Sequence, residues 1–361
     1  MSDFFSETYA EARQKFLSLA AERDAKLLSV VHPTVRGAQG EELAIDVAIF
    51  GDADAEKTLF LVSGTHGQEG FYGSALQIAY LRDLEIPQGV NVVALHGLNP
   101  WGFSHLSRTD DQNIDINRNF TDYGVPAAQD EVYPILFRAL CPDDWNEETI
   151  DWSAARDAVT RDYGTKRMVT AAGGGQIVEP TGMNYVGKGP SWSRTVVEDL
   201  LPRIFAKSRK IAFIEWHTGL GGWGELSHIP MMAPGSPGYE RMFSWLSDDA
   251  RETWSKGMDF TEGVTPDYRG WFSAWLPNTA PHAEWAGMVI EAGTYGVISV
   301  MDGIRMDRWL KFGKGQSTVP REEMRRSMMD KLYPEDPVWR VKALANGLEA
   351  QEQFFRGLLA W

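Results

Sequence analysis

Two histidines and two glutamates stand at the ends of apolar segments in this sequence. His66 and Glu69 lie in LVSGTHGQEG, where an apolar run closes in a turn of small residues. His217 closes the apolar segment IAFIEWHTG, and Glu291 ends a third segment, GMVIEAG. Two neutral imidazoles and one carboxylate form the ligand set of many hydrolytic zinc sites, which leave a fourth position to water. These residue types therefore favour an enzyme that uses a metal ion for hydrolysis.

Each of these motifs also has an alternative explanation that the residues alone leave open. With 7 histidines and 50 acids in the chain, about one His-x-x-Glu pair is expected by chance. Their position at a strand-to-helix turn, beside small residues that let a metal approach, strengthens the case for a metal role of His66 and Glu69. On this basis alone, however, a chance pair remains the better explanation. His217 is equally well explained as a core histidine whose ring nitrogens are satisfied by neighbouring groups.

The elements that must position these residues alternate between strand and helix. Residues 41–51 alternate like a half-buried strand, residues 59–62 are an apolar strand, and residues 70–84 have a helical pattern. This alternation favours an α/β fold with a mixed, mostly parallel twisted sheet between layers of helices. Ligands of such sheets collect beyond the carboxyl ends of the strands, where His66, His217 and Glu291 all fall.

The whole chain, residues 1–361, is predicted to form a single domain. Residues 4–29 carry apolar side chains at roughly helical spacing, and the periodic, charged residues 321–361 predict helices packed on the sheet. Between residues 121 and 210 the strand signal weakens. We expect this stretch to be an insertion that covers one rim of the sheet.

The composition limits the classes of partner and the compartment. With 43% hydrophobic and 12% aromatic residues, the 361-residue chain can bury a large core. A net charge of −15 argues against nucleic acid and anionic membranes as partners. No run approaches about 18 apolar residues, and the N-terminal segment lacks the features of a signal peptide. The single cysteine, Cys141, is expected to be a buried structural thiol. We therefore expect a cytoplasmic protein.

Two other segments have patterns that could be functional. GLGGWG, residues 219–224, matches a dinucleotide-binding pattern, but the prolines that follow exclude the helix such a motif must open. The loop of residues 99–120 presents Arg108, Asp115, Asn117 and Arg118, and arginine suits two-point recognition of a carboxylate. On composition alone this loop is better explained by Asx turns and surface arginines.

Taken in order, these residues resemble the zinc carboxypeptidases of the carboxypeptidase A type, and in detail a bacterial metallopeptidase-like branch of that superfamily. The resemblance extends from about Leu59 to Gly296, roughly two thirds of the chain. It is carried by a series of short motifs: His66-x-x-Glu69, Asn-Pro-x-Gly from Asn99, Arg108 nine residues before Asn117, Asp-x-Asn-Arg-Asn from Asp115, His217, and Glu291 74 residues after it.

The resemblance implies a role for each matching residue. One zinc ion per chain would be held by His66, Glu69 and His217, and Asp115 would orient His66. Glu291 would act as the general base, and Arg108 would stabilise the oxyanion. Asn117 and Arg118 would hold the free carboxylate of the substrate. For the family's tyrosine that folds over bound substrate, the sequence offers no motif match, and Tyr268 of PDYRGW would be its counterpart.

The sequence departs from the family pattern after His217, where glycines and Trp223 replace a serine-rich stretch. The pocket that would select the side chain next to the carboxylate is therefore not assigned. Five tryptophans lie near the site segments in sequence, and we expect most of them to be core residues: Trp216, Trp223, Trp271, Trp275 and Trp285.

We expect a zinc-dependent hydrolase of amide bonds, a metallocarboxypeptidase that acts on a small peptide or acyl amino acid with a free carboxylate. One alternative is an N-acyl amino acid deacylase or cell-wall peptide amidase with the same metal and base. Another is a non-catalytic binding protein that kept the fold. His105 and Asp110 raise the further alternative of a second metal, although a loop histidine of this kind is usually structural.

Overall fold

A seven-stranded mixed sheet forms the centre of the computed structural model, which describes residues 2–123, 131–251 and 266–361. In chain order, β1 to β7 are Lys26–Val31, Ala44–Gly51, Lys57–Val62, Val90–His96, Lys210–Gly219, Leu226–Pro230 and Glu284–Gly293. Their order across the sheet is β1-β2-β4-β3-β5-β7-β6, and the neighbours β4, β3, β5 and β7 run parallel. The predicted mixed α/β fold class is confirmed.

Helices cover both faces of this sheet. Numbered α1 to α14 along the described residues, they are Tyr9–Glu22, Gly70–Asp83, Pro100–His105, Ile116–Asn119, Tyr133–Leu140, Glu147–Ile150, Ser153–Tyr163, Thr165–Gly173, Trp192–Ile204, Pro237–Trp245, Phe272–Trp275, Val297–Phe312, Arg321–Leu332 and Pro337–Ala360. Side chains alternate between the two faces along each strand. In β3, Leu59 and Leu61 belong to a core shared with α1, α2 and α14, whereas Phe60 and Val62 belong to a core shared with α9.

The N-terminal segment is only partly the helix that its spacing predicts. Helix α1 ends at Glu22, and Asp24 adopts a left-handed conformation with φ of 52°. The chain then forms β1, which pairs antiparallel with β2 at the edge of the sheet. The prediction was wrong for residues 26–29 because an edge strand buries only part of its side chains and can imitate helical spacing.

The region from residue 131 to 204 forms helices and no strand of the sheet within its described part. Its helices α5, α7 and α8 enclose a small apolar core, on which Met301 and Ile304 of α12 pack. The C-terminal residues form α13 and α14, as predicted, and α14 packs on the sheet and on α2. No helix in the described part of the chain is long and apolar enough to cross a membrane.

The carboxyl ends of the parallel strands lie at one edge of the sheet, and the candidate site residues lie at this edge. His66 follows β3, whereas His217 and Glu291 each lie two residues before the end of their strands, β5 and β7. His217 and Glu291 are direct partners in the register of those two strands. The polar side chains therefore meet beyond the carboxyl ends, where open α/β sheets bind ligands.

Candidate active site

The turn between β3 and α2 carries the first two candidate ligands. Gly67 contacts helix α3 so closely that a Cβ there would lie 1.9 Å from the carbonyl carbon of Gly102. Glycine is therefore required for the turn to pack against α3, which leads to Arg108. Glu69 precedes the first turn of α2, where the helix dipole favours a negative charge. Its Oε1 lies 2.9 Å from Nδ1 of His66.

The second histidine completes a compact group around the same carboxylate. Nδ1 of His217 lies 2.8 Å from Oε2 of Glu69, and the backbone N–H of Thr218 donates to that oxygen at 3.2 Å. One ligand atom from each of His66, Glu69 and His217 lies within 4.8 Å of the others, and all three residues are buried. In the described part of the chain, this is the group of histidines and acids arranged to hold a metal ion.

A buried carboxylate contacts the outer nitrogen of each histidine. Asp115 Oδ1 lies 3.2 Å from Nε2 of His66, and Glu215 Oε1 lies 2.9 Å from Nε2 of His217. Carboxylates in this position fix the tautomer and orientation of metal-binding histidines. Sequence reasoning missed Glu215. The spacing Glu-x-His was the available signal, because residues two apart on a strand share one face.

The ionisation of these groups depends on their mutual contacts. Although burial opposes its ionisation, Glu69 has a pKa well below the usual range because His66 and His217 flank it. Burial also disfavours the charged form of His217, but Glu215 and then Glu69 raise its pKa to about 10. The pKa of Asp115 is likewise low despite burial, because Arg108 and His66 lie beside it.

With both imidazoles neutral, as metal binding requires, the site carries a net negative charge, so a bound cation would displace the proton that the raised pKa of His217 retains. The carboxylates of Glu69, Asp115 and Glu215 then outnumber the guanidinium groups of Arg108 and Arg118, and ionisation of Glu291 adds a further negative charge. A divalent cation would cancel this excess, and the two Nδ1 atoms with one carboxylate are suitable donors. The residues present therefore fit a divalent metal ion.

Arg108 is held directly beside this group. Its Nε donates to Oδ2 of Asp115 at 3.0 Å, while one terminal nitrogen lies 3.1 Å from Nδ1 of His66 and 3.5 Å from Oε1 of Glu69. Its backbone N–H donates to the buried carboxylate of Asp307 on α12 at 2.8 Å. The guanidinium thus places fixed positive charge next to the candidate ligands.

Arg118 lies at another part of the same cavity, and the structure buries it, contrary to the surface location that composition favoured. Its Nε and one terminal nitrogen donate to the carbonyl of Gly173 at 3.1 and 2.9 Å, and the other terminal nitrogen donates to the carbonyl of Asn117 at 2.8 Å. The ring of Tyr268 lies 4.7 Å from the guanidinium carbon. A guanidinium has five N–H groups, so one remains on each terminal nitrogen without an acceptor among the described residues.

Glu291 occupies the wall of the cavity beside His217. Its Oε2 accepts a hydrogen bond from the backbone N–H of Leu220 at 2.9 Å, which fixes the carboxylate. Burial, and then the negative charge of Glu69, raise the pKa of Glu291 to about 7. A carboxylate with such a pKa can both accept and donate a proton near neutral pH.

One cavity of 320 Å³ brings most of the predicted site residues together. They are His66, Glu69, Arg108, Asn117, Arg118, His217, Tyr268 and Glu291, with Asp115 behind His66. His105 and Asp110 do not line it. His105 stacks on Trp101 at 4.3 Å, and Asp110 accepts hydrogen bonds from the backbone of its own loop, so both have structural contacts that explain them.

The remaining sequence motifs have structural explanations. Gly219 to Gly224 lead into strand β6 and not into a helix, so the exclusion of a dinucleotide-binding motif is confirmed. Cys141 is buried, as expected. Of the five tryptophans near the site segments, Trp271 lines the cavity, while Trp216 and Trp285 are core residues and Trp223 and Trp275 pack against the cores.

Fold and site define an α/β protein with a candidate metal centre at the carboxyl edge of a mixed sheet. The chain belongs to the family described as "Protein of unknown function (DUF2817)", whose pattern matches residues 5–346. Among curated proteins, none matches the sequence significantly.

Solved structures to which the chain is similar include a carboxypeptidase A, a fibrinolysis inhibitor and a desuccinylase. Carboxypeptidase A from Helicoverpa armigera is 12% identical, with 95% of this chain and 74% of that chain covered and a TM-score of 0.43. Bovine thrombin-activatable fibrinolysis inhibitor is 10% identical, with 97% and 99% covered and a TM-score of 0.47. A succinylglutamate desuccinylase from Silicibacter sp. TM1040 is 11% identical, with 82% and 70% covered and a TM-score of 0.36.

Proposed function

We propose that this protein is a zinc-dependent hydrolase that cleaves an amide bond in a small substrate with a free carboxylate, as a metallocarboxypeptidase does. The observation that carries the proposal is the single cavity that joins the His66–Glu69–His217 group to the carboxylate of Glu291 and to two buried arginines. Each part of the reaction has a side chain of suitable chemistry in this cavity.

His66, Glu69 and His217 would hold the metal ion through two Nδ1 atoms and one carboxylate, with Asp115 and Glu215 supporting the histidines. Nitrogen and oxygen donors with an open position favour zinc. When bound, such a cation supplies a Lewis acid that acidifies water and polarises a carbonyl group.

Glu291 is positioned to move the proton in the reaction. It takes a proton from the attacking water, whose oxygen bonds to the amide carbon, and returns it to the nitrogen as the C–N bond breaks. The hydrogen bond from Leu220 holds one carboxylate oxygen, so the other is left for this transfer. Arg108 offers positive charge to the oxyanion that develops on the carbonyl oxygen.

Arg118 and Asn117 provide the recognition of the free carboxylate. The two remaining N–H groups of Arg118 lie on its two terminal nitrogens, an arrangement that suits two-point binding of a carboxylate. The Oδ1 atom of Asn117 accepts from the backbone N–H of Phe272 at 3.1 Å, so its amide N–H₂ is the group available to the substrate. Tyr268 packs on Arg118 and forms part of the same wall.

Metal analysis combined with hydrolysis assays tests this proposal. We expect about one zinc per chain in the wild-type protein, with loss of metal and activity in His66→Ala. Glu291→Gln should keep the metal and lose about 10²- to 10⁴-fold in kcat, the usual contribution of a general base. His105→Ala is the matched control and should keep both properties. A folded wild-type protein that binds no zinc when supplied with it, or that cleaves no substrate, would instead favour a non-catalytic binding protein.

A deacylase of N-acyl amino acids, or an amidase of cell-wall peptides, is the second candidate because its substrate presents the same carboxylate to Arg118. The two candidates differ in the group on the other side of the scissile bond. A panel that pairs one C-terminal amino acid with either an acyl chain or an amino acid separates them by relative kcat/KM.

A further inference from the structure

Helix α12 presents an apolar stripe to the cavity. Val297, Val300, Met301 and Ile304 all line it, and each of these side chains is partly exposed. Their spacing of i, i+3, i+4 and i+7 places them on one face of the helix. A face with this pattern is normally buried against other elements, and apolar surface left open in a cavity marks a place for a ligand group.

The surroundings of Gly219 show that this stripe lies close to Glu291. A Cβ built on Gly219 would lie 3.1 Å from a methyl group of Val300 and 3.5 Å from Oε2 of Glu291. The stripe therefore begins beside the carboxylate of Glu291. Arg118 instead contacts Gly173 and Tyr268, which lie in other segments. A substrate whose carboxylate reaches Arg118 and whose amide lies at Glu291 would direct its acyl side along α12.

A second apolar surface lies beside the stripe. Met168 and Val169 of helix α8 line the cavity and belong to the small core on which Met301 and Ile304 pack. Met301 and Ile304 of the stripe thus form one continuous apolar surface with α8. The backbone N–H of Arg108 donates to Asp307 on the same helix, so α12 contacts both Arg108 and this apolar surface.

We propose that the surface formed by α12 and α8 is a subsite for an apolar group on the acyl side of the scissile amide. This inference rests on the proposed hydrolase function and names its substrate class: an amino acid with a free carboxylate, N-acylated by an apolar group. That group is either a hydrocarbon acyl chain or the apolar side chain of a preceding residue, which share the same chemistry of recognition.

A series of substrates with one C-terminal amino acid tests the subsite. The acyl group runs from acetyl through butanoyl and hexanoyl to octanoyl, and a parallel pair compares N-acetylglycyl with N-acetylleucyl substrates. Each methylene that becomes buried should raise kcat/KM about fourfold until the surface is filled. If kcat/KM rises only along the straight acyl chains, the apolar group is a hydrocarbon acyl chain. If kcat/KM rises more from the glycyl to the leucyl substrate, the group is the side chain of a preceding residue.

Two variants on the helix and one matched control attribute the effect to the stripe. Met301→Gln should flatten the dependence on acyl length, and Ile304→Val, which removes one methylene with little effect on folding, should lower kcat/KM for the longest chain about fourfold. Met306→Gln changes the same residue type on α12 outside the cavity and should keep the wild-type profile.

The outcomes separate the subsite from the proposed function. Cleavage of the acetyl substrate with no gain from longer or leucyl groups overturns the subsite and leaves the hydrolase intact. The subsite is also overturned if Met306→Gln flattens the dependence of kcat/KM on acyl length as much as Met301→Gln does. If no member of the series is cleaved by the zinc-loaded protein, the hydrolase proposal fails and the subsite fails with it.

Discussion

Glu215 and His217 lie two residues apart on the same face of β5, and Oε1 of Glu215 lies 2.9 Å from Nε2 of His217. Glu215 is fully buried, and the hydroxyl groups of Thr65 and Ser273 donate to its two oxygens. A carboxylate bound so completely has a fixed position. It therefore holds the imidazole with its Nδ1 lone pair directed at the candidate metal position.

We predict that Glu215→Gln weakens zinc binding about 10- to 100-fold, as is usual when the partner of a ligating histidine is altered. Glutamine keeps the size of the side chain and an oxygen acceptor but removes the negative charge. Titration against a chelator of known affinity measures the change. The control is Glu225→Gln, an exposed glutamate paired with Lys342. Equal zinc affinities for wild type and Glu215→Gln would contradict the role of Glu215.

The strand-end residues could be predicted because their signals are local. Turns of small residues after apolar strands placed His66 and His217 at one edge of the sheet, and parallel strands bring such ends together. Glu215 was missed because a charged residue inside an apolar strand has no clear meaning until the partner of its side chain is known. Its spacing from His217 was the one available signal.

Other features depend on contacts between distant segments. The composition of its loop favours an exposed Arg118, yet the carbonyl of Gly173 from α8 binds its guanidinium inside the protein. The stripe on α12 has the periodicity of an ordinary core helix. Only the packing of α8 beside it and the position of Gly219 show that this face lines a cavity.

We predict that Arg118→Ala lowers kcat/KM for free-carboxylate substrates roughly 10- to 100-fold, the effect of losing charged hydrogen bonds. The same substitution should have little effect on C-terminal amides, so the preference for acid over amide should disappear. Steady-state kinetics on matched acid and amide substrates measure this ratio. Arg156→Ala, at another arginine of the cavity that pairs with Asp157, should keep the wild-type preference. An unchanged ratio in Arg118→Ala would show that the carboxylate binds elsewhere.

His96 gives a prediction for stability that is independent of the metal. It is completely buried, its Nε2 lies 2.9 Å from the Ser74 hydroxyl, and its ring stacks on Phe16 with centroids 4.7 Å apart. Burial lowers the pKa of His96 to about 4. Between about pH 6.5 and pH 4 the unfolded chain therefore binds a proton that the native protein rejects, so stability falls as the pH falls through this range.

We predict that this histidine contributes a loss of about 2 kcal/mol in the free energy of unfolding between pH 7 and pH 5. Urea denaturation of wild type and His96→Gln at both pH values measures it, because the difference between the two proteins removes the contribution of every other group. The variant should be less stable at pH 7, where the buried packing of the imidazole is lost, but should lose less stability on acidification. His282→Gln, at an exposed histidine, should follow the wild type. If His96→Gln and the wild type lost equal stability between pH 7 and pH 5, His96 would not be the group that binds the proton on unfolding.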